Sequence, residues 1–138
     1  MLKREILKKI FRKNDHTSAP KAAHLKLGER GERQASRYLK KRGYKIVEKD
    51  FKCKFGQIDL IAKDHEALCF IEVKCRSTES FGQPQDAITY TKQNRIKKIS
   101  EYYMLKKKLA NVQVRYDVVA IYEPKSGTRE INLIKNAF

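Results

Sequence analysis

Asp59, Glu72 and Lys74 are residue types that could serve metal-assisted hydrolysis of a phosphodiester, and their strand positions allow a shared site. Asp59 lies in the run GQIDLIAK (56–63), and Glu72 and Lys74 lie in EALCFIEVKC (66–75). Side chains alternate across a strand, so Gln57, Asp59 and Ile61 share one face. Leu68, Phe70, Glu72 and Lys74 share a face of the next strand, with Ala67, Cys69, Ile71 and Val73 on the other. A strand apolar on both faces is covered on both. An acid and a base at its far end are costly there unless they line a cleft or bind something. A hairpin turning at Asp64–His65 brings Asp59 and Glu72 near each other. Two close carboxylates repel, and a divalent cation relieves the repulsion. Magnesium suits oxygen ligands and keeps several waters. It could activate a water and stabilise charge on a phosphodiester, and Lys74 could orient that water or offset the developing negative charge. A cross-strand salt bridge produces the same Glu-x-Lys pattern, so the structural alternative stays open at this point.

Two helical segments carry further charges on faces that should be buried. With 3.6 residues per turn, Gly28, Glu32, Ala35 and Leu39 line up, and Glu32 points toward the sheet. No basic residue follows it at the spacing of a helical ion pair, whereas Glu29 has Arg33 four residues on. In the second segment Ile88, Ile96, Ile99 and Tyr103 mark the inner face, and Lys92 falls among them. Lys92 either snorkels to solvent or reaches the cleft and holds a phosphate. Arg95, Lys97 and Lys98 suit backbone phosphates or water alone.

These residues need a scaffold. The pattern predicts a helix from about Leu25 to Arg42 stopped by Gly43. Strands follow at 44–51, 56–63 and 66–75. Residues 77–85 read as a polar loop, and a long helix runs from about Asp86 to Lys108. Strands at 112–122 and 129–134 complete the order. Residues 1–13 alternate Leu2, Ile6, Leu7, Ile10 and Phe11 with Lys and Arg. They form either a basic amphipathic arm or a loosely docked extension. Residues 14–21 read as a linker, so the chain divides into a basic arm and linker (1–20) and one folded domain (21–138).

The chain's 138 residues contain 32 Lys and Arg against 16 Asp and Glu, a formal net charge of +16. A compact body so charged favours an anionic partner, nucleic acid before a membrane surface. Three cysteines without CxxC spacing argue against a disulfide framework or thiolate metal site and suit a reducing, cytoplasmic setting. His16, His24 and His65 share no ligand spacing. No apolar run is long enough to span a bilayer.

In this order and spacing the motifs resemble the small bacterial YraN family, placed in the PD-(D/E)xK nuclease superfamily, with a distant similarity to archaeal Holliday-junction resolvases. The resemblance runs from about residue 28 to 138. It rests on Gly28, Gly31-Glu32, Ala35, Tyr38-Leu39, Gly43, GQIDLI (56–61), FIEVKCR (70–76), Phe81-Gly82, Lys92, RYDVV (115–119) and Asn136-Ala-Phe138. It implies an α/β, restriction-endonuclease-like αβββαβ core, a mixed sheet flanked by helices. It also implies that Asp59 and Glu72 bind the metal, that the Val73 carbonyl adds a ligand, that Lys74 assists catalysis and that Glu32 supplies a further acid. Mg2+ is the implied cofactor, with Mn2+ a substitute. DNA, branched or structured, is the implied partner, with Lys92, Arg76 and Arg95 as candidate contacts. Resolvases of similar architecture work as dimers, so a homodimer is an open expectation.

Two positions depart from the family. Gln57 stands where it usually has Glu, and Asp50 where it often has Asn. Gln57 loses a charge on the cleft face, which favours a second reading: a non-catalytic DNA- or RNA-binding module on the same fold. Arg115 and Asp117, two apart on one strand face, suit a structural ion pair. Residues 136–138 suit packing of the chain end onto the body.

Overall fold

The computed structural model describes residues 21–76, 89–124 and 126–138. The arm and linker over 1–20, the loop over 77–85 and residues 86–88, Ile88 included, lie outside them.

Helix α1 spans Lys21–Lys41, starting about four residues earlier than the pattern predicts. Gly43 ends it as expected, at φ 89°, a backbone state that costs glycine little. The amides of Gly43 and Tyr44 return to the carbonyls of Lys40 and Leu39 at 3.1 and 3.0 Å. Strands β1 (Lys45–Cys53), β2 (Gly56–Asp64) and β3 (Ala67–Arg76) follow. Helix α2 spans Tyr90–Lys106, its first turn capped by the Thr89 hydroxyl accepting from the Lys92 amide at 3.1 Å. Strands β4 (Gln113–Tyr122) and β5 (Glu130–Ile134) close the order.

The strands form one sheet in the order β1-β2-β3-β4-β5. The β1/β2, β2/β3 and β4/β5 pairs are antiparallel, and β3/β4 is parallel. The fold is therefore α/β with a mixed sheet. A parallel pair requires a crossover, and α2 lies within that connection. Of the described helices, none is long and apolar enough to cross a membrane.

The alternation read from β3 places the helices on opposite faces. Ala67, Cys69 and Ile71 pack in one cluster with Ala35 and Leu39 of α1. Leu68 and Phe70 pack in the other with Ile99 and Tyr103 of α2. Burial on both faces explains why this strand is apolar on both sides. α1 approaches closely because Gly31 has no side chain. A Cβ there would fall inside the contact radius of Cys75 Sγ. The three cysteines are free thiols, and burial pushes Cys75 up to about 11, so it stays protonated.

At the end of the sheet near the β2–β3 turn, Arg115 and Asp117 form the expected ion pair within a larger network. Arg115 Nε and Nη2 lie 2.9 and 2.8 Å from the Asp117 oxygens. Nη2 also donates to Asp64 Oδ2 and Tyr44 Oη, both at 2.8 Å. Lys135 Nζ is 3.1 Å from the same Asp64 oxygen. Asp117, 1% exposed, also accepts from the Asn136 amide at 2.8 Å. The final residues pack as expected. The Ala137 amide donates to the Tyr116 carbonyl at 2.7 Å, and Phe138 stacks on the Tyr116 ring at 5.3 Å.

Two substitutions test this packing. Gly31→Ala should destabilise by about 1–3 kcal/mol through overpacking. Adding Cys75→Ala should recover most of that loss in urea unfolding, because the clash is local to one atom. Asp117→Ala should cost about 3–5 kcal/mol, because it leaves Arg115 in a largely buried site short of its main partner.

Candidate functional site

Strands β2 and β3 pair from Asp64↔Ala67 as far as Leu60↔Ile71, where the register ends. Asp59 takes over at that point. Its Oδ2 accepts the Val73 amide at 2.8 Å, a carboxylate standing where a strand carbonyl would. A strand residue directs its N–H and C=O to the same side, so the Val73 carbonyl faces the same gap. The carboxylate is thus held by backbone rather than by a flexible partner.

Asp59 and Glu72 line one cavity of about 280 Å³ between the ends of β2 and β3 and helix α2. Gln57, Lys92, Arg95 and Phe138 also line it, over a floor of Phe70, Ile96 and Ile99. Glu72 Oε1 lies 2.7 Å from Lys92 Nζ and 3.5 Å from Lys74 Nζ. Glu72 Oε2 is buried and has no hydrogen-bond partner among the described residues. An orphaned carboxylate oxygen is costly unless something positive takes it up. Burial raises the Asp59 carboxyl above its ordinary range, and Glu72 adds to the rise while the Val73 amide opposes it. Burial also pulls the Lys92 ammonium down, against the stabilising effect of Glu72.

Of the residues singled out in the sequence, the fold brings Asp59, Glu72, Lys74, Lys92, Arg95 and Gln57 to this cavity or its rim. Lys92 lines the cleft and meets Glu72 there, its side chain 26% exposed. The Arg76 side chain is outside the described part. Glu32 is not among the cavity's lining residues. It lies on the α1 side, close enough to Asp59 and Asp50 to feel both. Burial, then Asp59, then Asp50 raise its carboxyl from 4.5 to about 7. Asp50 is the acid that sequence reasoning passed over. It falls opposite Asp59, between the pairs Lys49↔Leu60 and Phe51↔Ile58, at φ 52°. The β1/β2 register was the signal that would have found it.

The oxygen donors fit a hard cation in part. Asp59 and Glu72 line the same cavity, and the Val73 carbonyl lies on the side of its strand that the Asp59 carboxylate occupies; a hydrated ion would fill its remaining positions with water. Among the described residues no three carboxylate, imidazole or thiolate groups are clustered as a complete site. Any ion here would therefore keep much of its water.

Comparison with known proteins places the chain in a family. The model described as "Uncharacterised protein family UPF0102" matches residues 31–121, which include both acids, both lysines and Glu32. The chain belongs to UPF0102. A UPF0102 protein of Caldicellulosiruptor saccharolyticus is 46% identical over 113 residues, covering 81% of this chain and 96% of the relative. One from Thermodesulfovibrio yellowstonii is 47% identical over 118 residues, covering 84% and 98%. One from Syntrophus aciditrophicus is 44% identical over 115 residues, covering 83% and 90%. The UPF0102 match begins at Gly31, the glycine that lets α1 close on β3, and continues through β4.

The Glu32 environment has a consequence for stability. Its folded pKa lies above the unfolded one, so between pH 4.5 and about 7 the folded state holds the extra proton. Its charge therefore costs nothing below pH 4.5, and the cost grows as pH rises toward 7 and then stays. Glu32→Gln should leave the unfolding midpoint unchanged at pH 4 and raise it at pH 8, as followed by circular dichroism.

Proposed function

We propose that this UPF0102 protein is a metal-dependent endonuclease that hydrolyses phosphodiester bonds in DNA, with branched or otherwise structured DNA as its substrate. The single observation that carries the reading is the meeting of Asp59 and Glu72 at one cavity, with an orphaned carboxylate oxygen beside a lysine. Two acids brought to one partly buried cavity are costly unless something positive lies between them. The resemblance to the YraN family and the PD-(D/E)xK nucleases points the same way. Working on DNA inside the cell, such a protein would be cytoplasmic.

Asp59, Glu72 and the Val73 carbonyl would hold Mg2+ or Mn2+. The ion, when bound, supplies an acidified water and positive charge beside the phosphate. The chain's own groups do the rest. The Val73 amide fixes the Asp59 carboxylate in position. Lys74, 3.5 Å from Glu72, can meet the negative charge that grows on the phosphoryl oxygens. Lys92 and Arg95 supply cationic contacts for the phosphate at the mouth. Phe70, Ile96 and Ile99 keep the floor apolar, which strengthens each charge interaction above it. Glu32 sits on the opposite side as a neighbouring acid, its own carboxyl raised by burial and by Asp59.

A second reading is a nucleic-acid-binding module without catalysis. The Lys92–Glu72 contact at 2.7 Å favours it, because that ion pair already satisfies one carboxylate oxygen. Gln57 at the rim favours it too, since a neutral amide stands where an acid would strengthen ion binding.

Purified protein given branched, flapped, single-stranded and duplex DNA should cleave at least one of them with Mg2+ or Mn2+. Asp59→Ala and Glu72→Ala should each slow that cleavage by about 100-fold or more. Equal product from Asp59→Ala would refute the site. Salt-dependent binding with no metal-stimulated product would establish the module instead.

A further inference from the structure

Helix α2 carries a row of residues that begins at the cavity and continues beyond it. Arg95, Lys98 and Tyr102 follow at the three- and four-residue spacing that aligns side chains along a helix. This row faces the β1–β2 turn at Lys54 and Phe55. The Phe55 ring meets the Tyr102 ring edge-on at 5.9 Å. Lys98 Nζ lies 4.4 Å and Lys54 Nζ 5.2 Å from the Phe55 centroid. Next in the turn, a Cβ on Gly56 would be 3.8 Å from Arg95 Cδ, and Arg95 itself lines the cavity mouth.

Three cations thus run from the mouth outward, two of them held over one aromatic ring. The ring fixes the ammonium groups by cation–π attraction and reduces their freedom. Among the described residues, Arg95, Lys98 and Lys54 have no carboxylate within ion-pair distance. Neighbouring lysines differ: Lys52 pairs with Asp50 at 3.3 Å and Lys107 with Glu48 at 4.0 Å. Like charges gathered without counter-charges repel, and an anionic chain laid along them removes that repulsion. Lysines act on phosphates as point charges and read no sequence.

We infer that Arg95, Lys98 and Lys54, set around Phe55, form a track for the phosphates of one DNA strand leaving the cavity. The inference rests on the DNA reading above and extends it to where the strand lies. The track leads away over the α2 face, opposite α1, so the flanking strand runs past the β1–β2 turn. Binding along it is independent of sequence and steeply dependent on salt.

The test is fluorescence anisotropy of the full chain with a labelled flapped DNA in chelator, over a salt series. Lys54→Ala with Lys98→Ala should weaken binding roughly tenfold and reduce the log–log salt slope by about 2. Lys40→Ala with Lys41→Ala removes the same charge from the exposed end of α1 and should change neither quantity appreciably. Equal losses from both pairs would reduce the effect to net charge and overturn the track, as would no loss from either. Circular dichroism of both variants secures that the folds are intact. Cleavage by the wild type is read separately. A binding defect confined to the Lys54/Lys98 variant, with no Glu72-dependent cleavage, would uphold the track while refuting hydrolysis. Glu72-dependent cleavage with unimpaired binding by that variant would do the reverse.

Discussion

At Leu60 the β2–β3 ladder stops and a carboxylate takes the next amide. The bond from the Val73 amide to Asp59 Oδ2, 2.8 Å long, does two jobs at once. It satisfies a backbone donor that the departing strand would leave unpaired. It also holds an acid in a fixed place where β2 swings away from β3 and opens the cavity. A free aspartate on a surface strand would sample several rotamers. This one is tied to the central strand of the sheet, and the central strand is covered on both faces. The precision of the site therefore comes from the core: Leu60, Ile71 and Phe70 fix the two strands, and the strands fix the acids.

Charges on the two faces then divide around that acid. On the α2 side Glu72 is surrounded by Lys74 and Lys92. On the α1 side Glu32 and Asp50 lie near Asp59, with Lys52 offsetting part of their charge. Asp59 is the member common to both groups. Its raised pKa reflects burial first and its acidic neighbours second. A positive ion at the cavity would relieve strain from both sides of the sheet, because each acid nearby loses a repulsive neighbour. The Arg115 network, by contrast, is closed. Asp117 lines the far end of the same cavity, yet its oxygens are taken by Arg115, the Asn136 amide and, at 3.3 Å, the Tyr44 hydroxyl. Together Arg115 and Asp117 act as a rivet between β4, β2 and the final residues.

Much of this was legible in the chain. The β3 alternation set Glu72 and Lys74 on the α2 face and Val73 on the other, and the clusters follow that division. Gly43 marked the end of α1, and Arg115–Asp117 read correctly as an ion pair. Lys92 was ambiguous, because a lysine on an apolar stripe reads alike whether it snorkels or meets an acid from another element. Only tertiary contact with Glu72 decides it. Asp50 was missed because its meaning depends on which residue of β2 faces it. That register includes an irregularity between Ile46 and Glu48, which no periodicity rule anticipates. Glu32 pointed inward as its helical phase requires, but its phase could not say that it approaches Asp59 from beyond the cavity. The start of α1 differed from expectation because Lys21, Ala22 and Ala23 carry no apolar periodicity to mark a boundary.

Strand β1 lies at the margin of the sheet, with Lys45, Lys49, Asp50 and Lys52 exposed along it. It also carries the irregularity beside Val47, which is 44% exposed, and the left-handed kink at Asp50. A margin that is charged and bent offers a poor template for another chain's backbone. The same bend that sets Asp50 against Asp59 therefore guards against aggregation through this edge. Two copies meeting at β1 would have to straighten it and disturb the acids behind it.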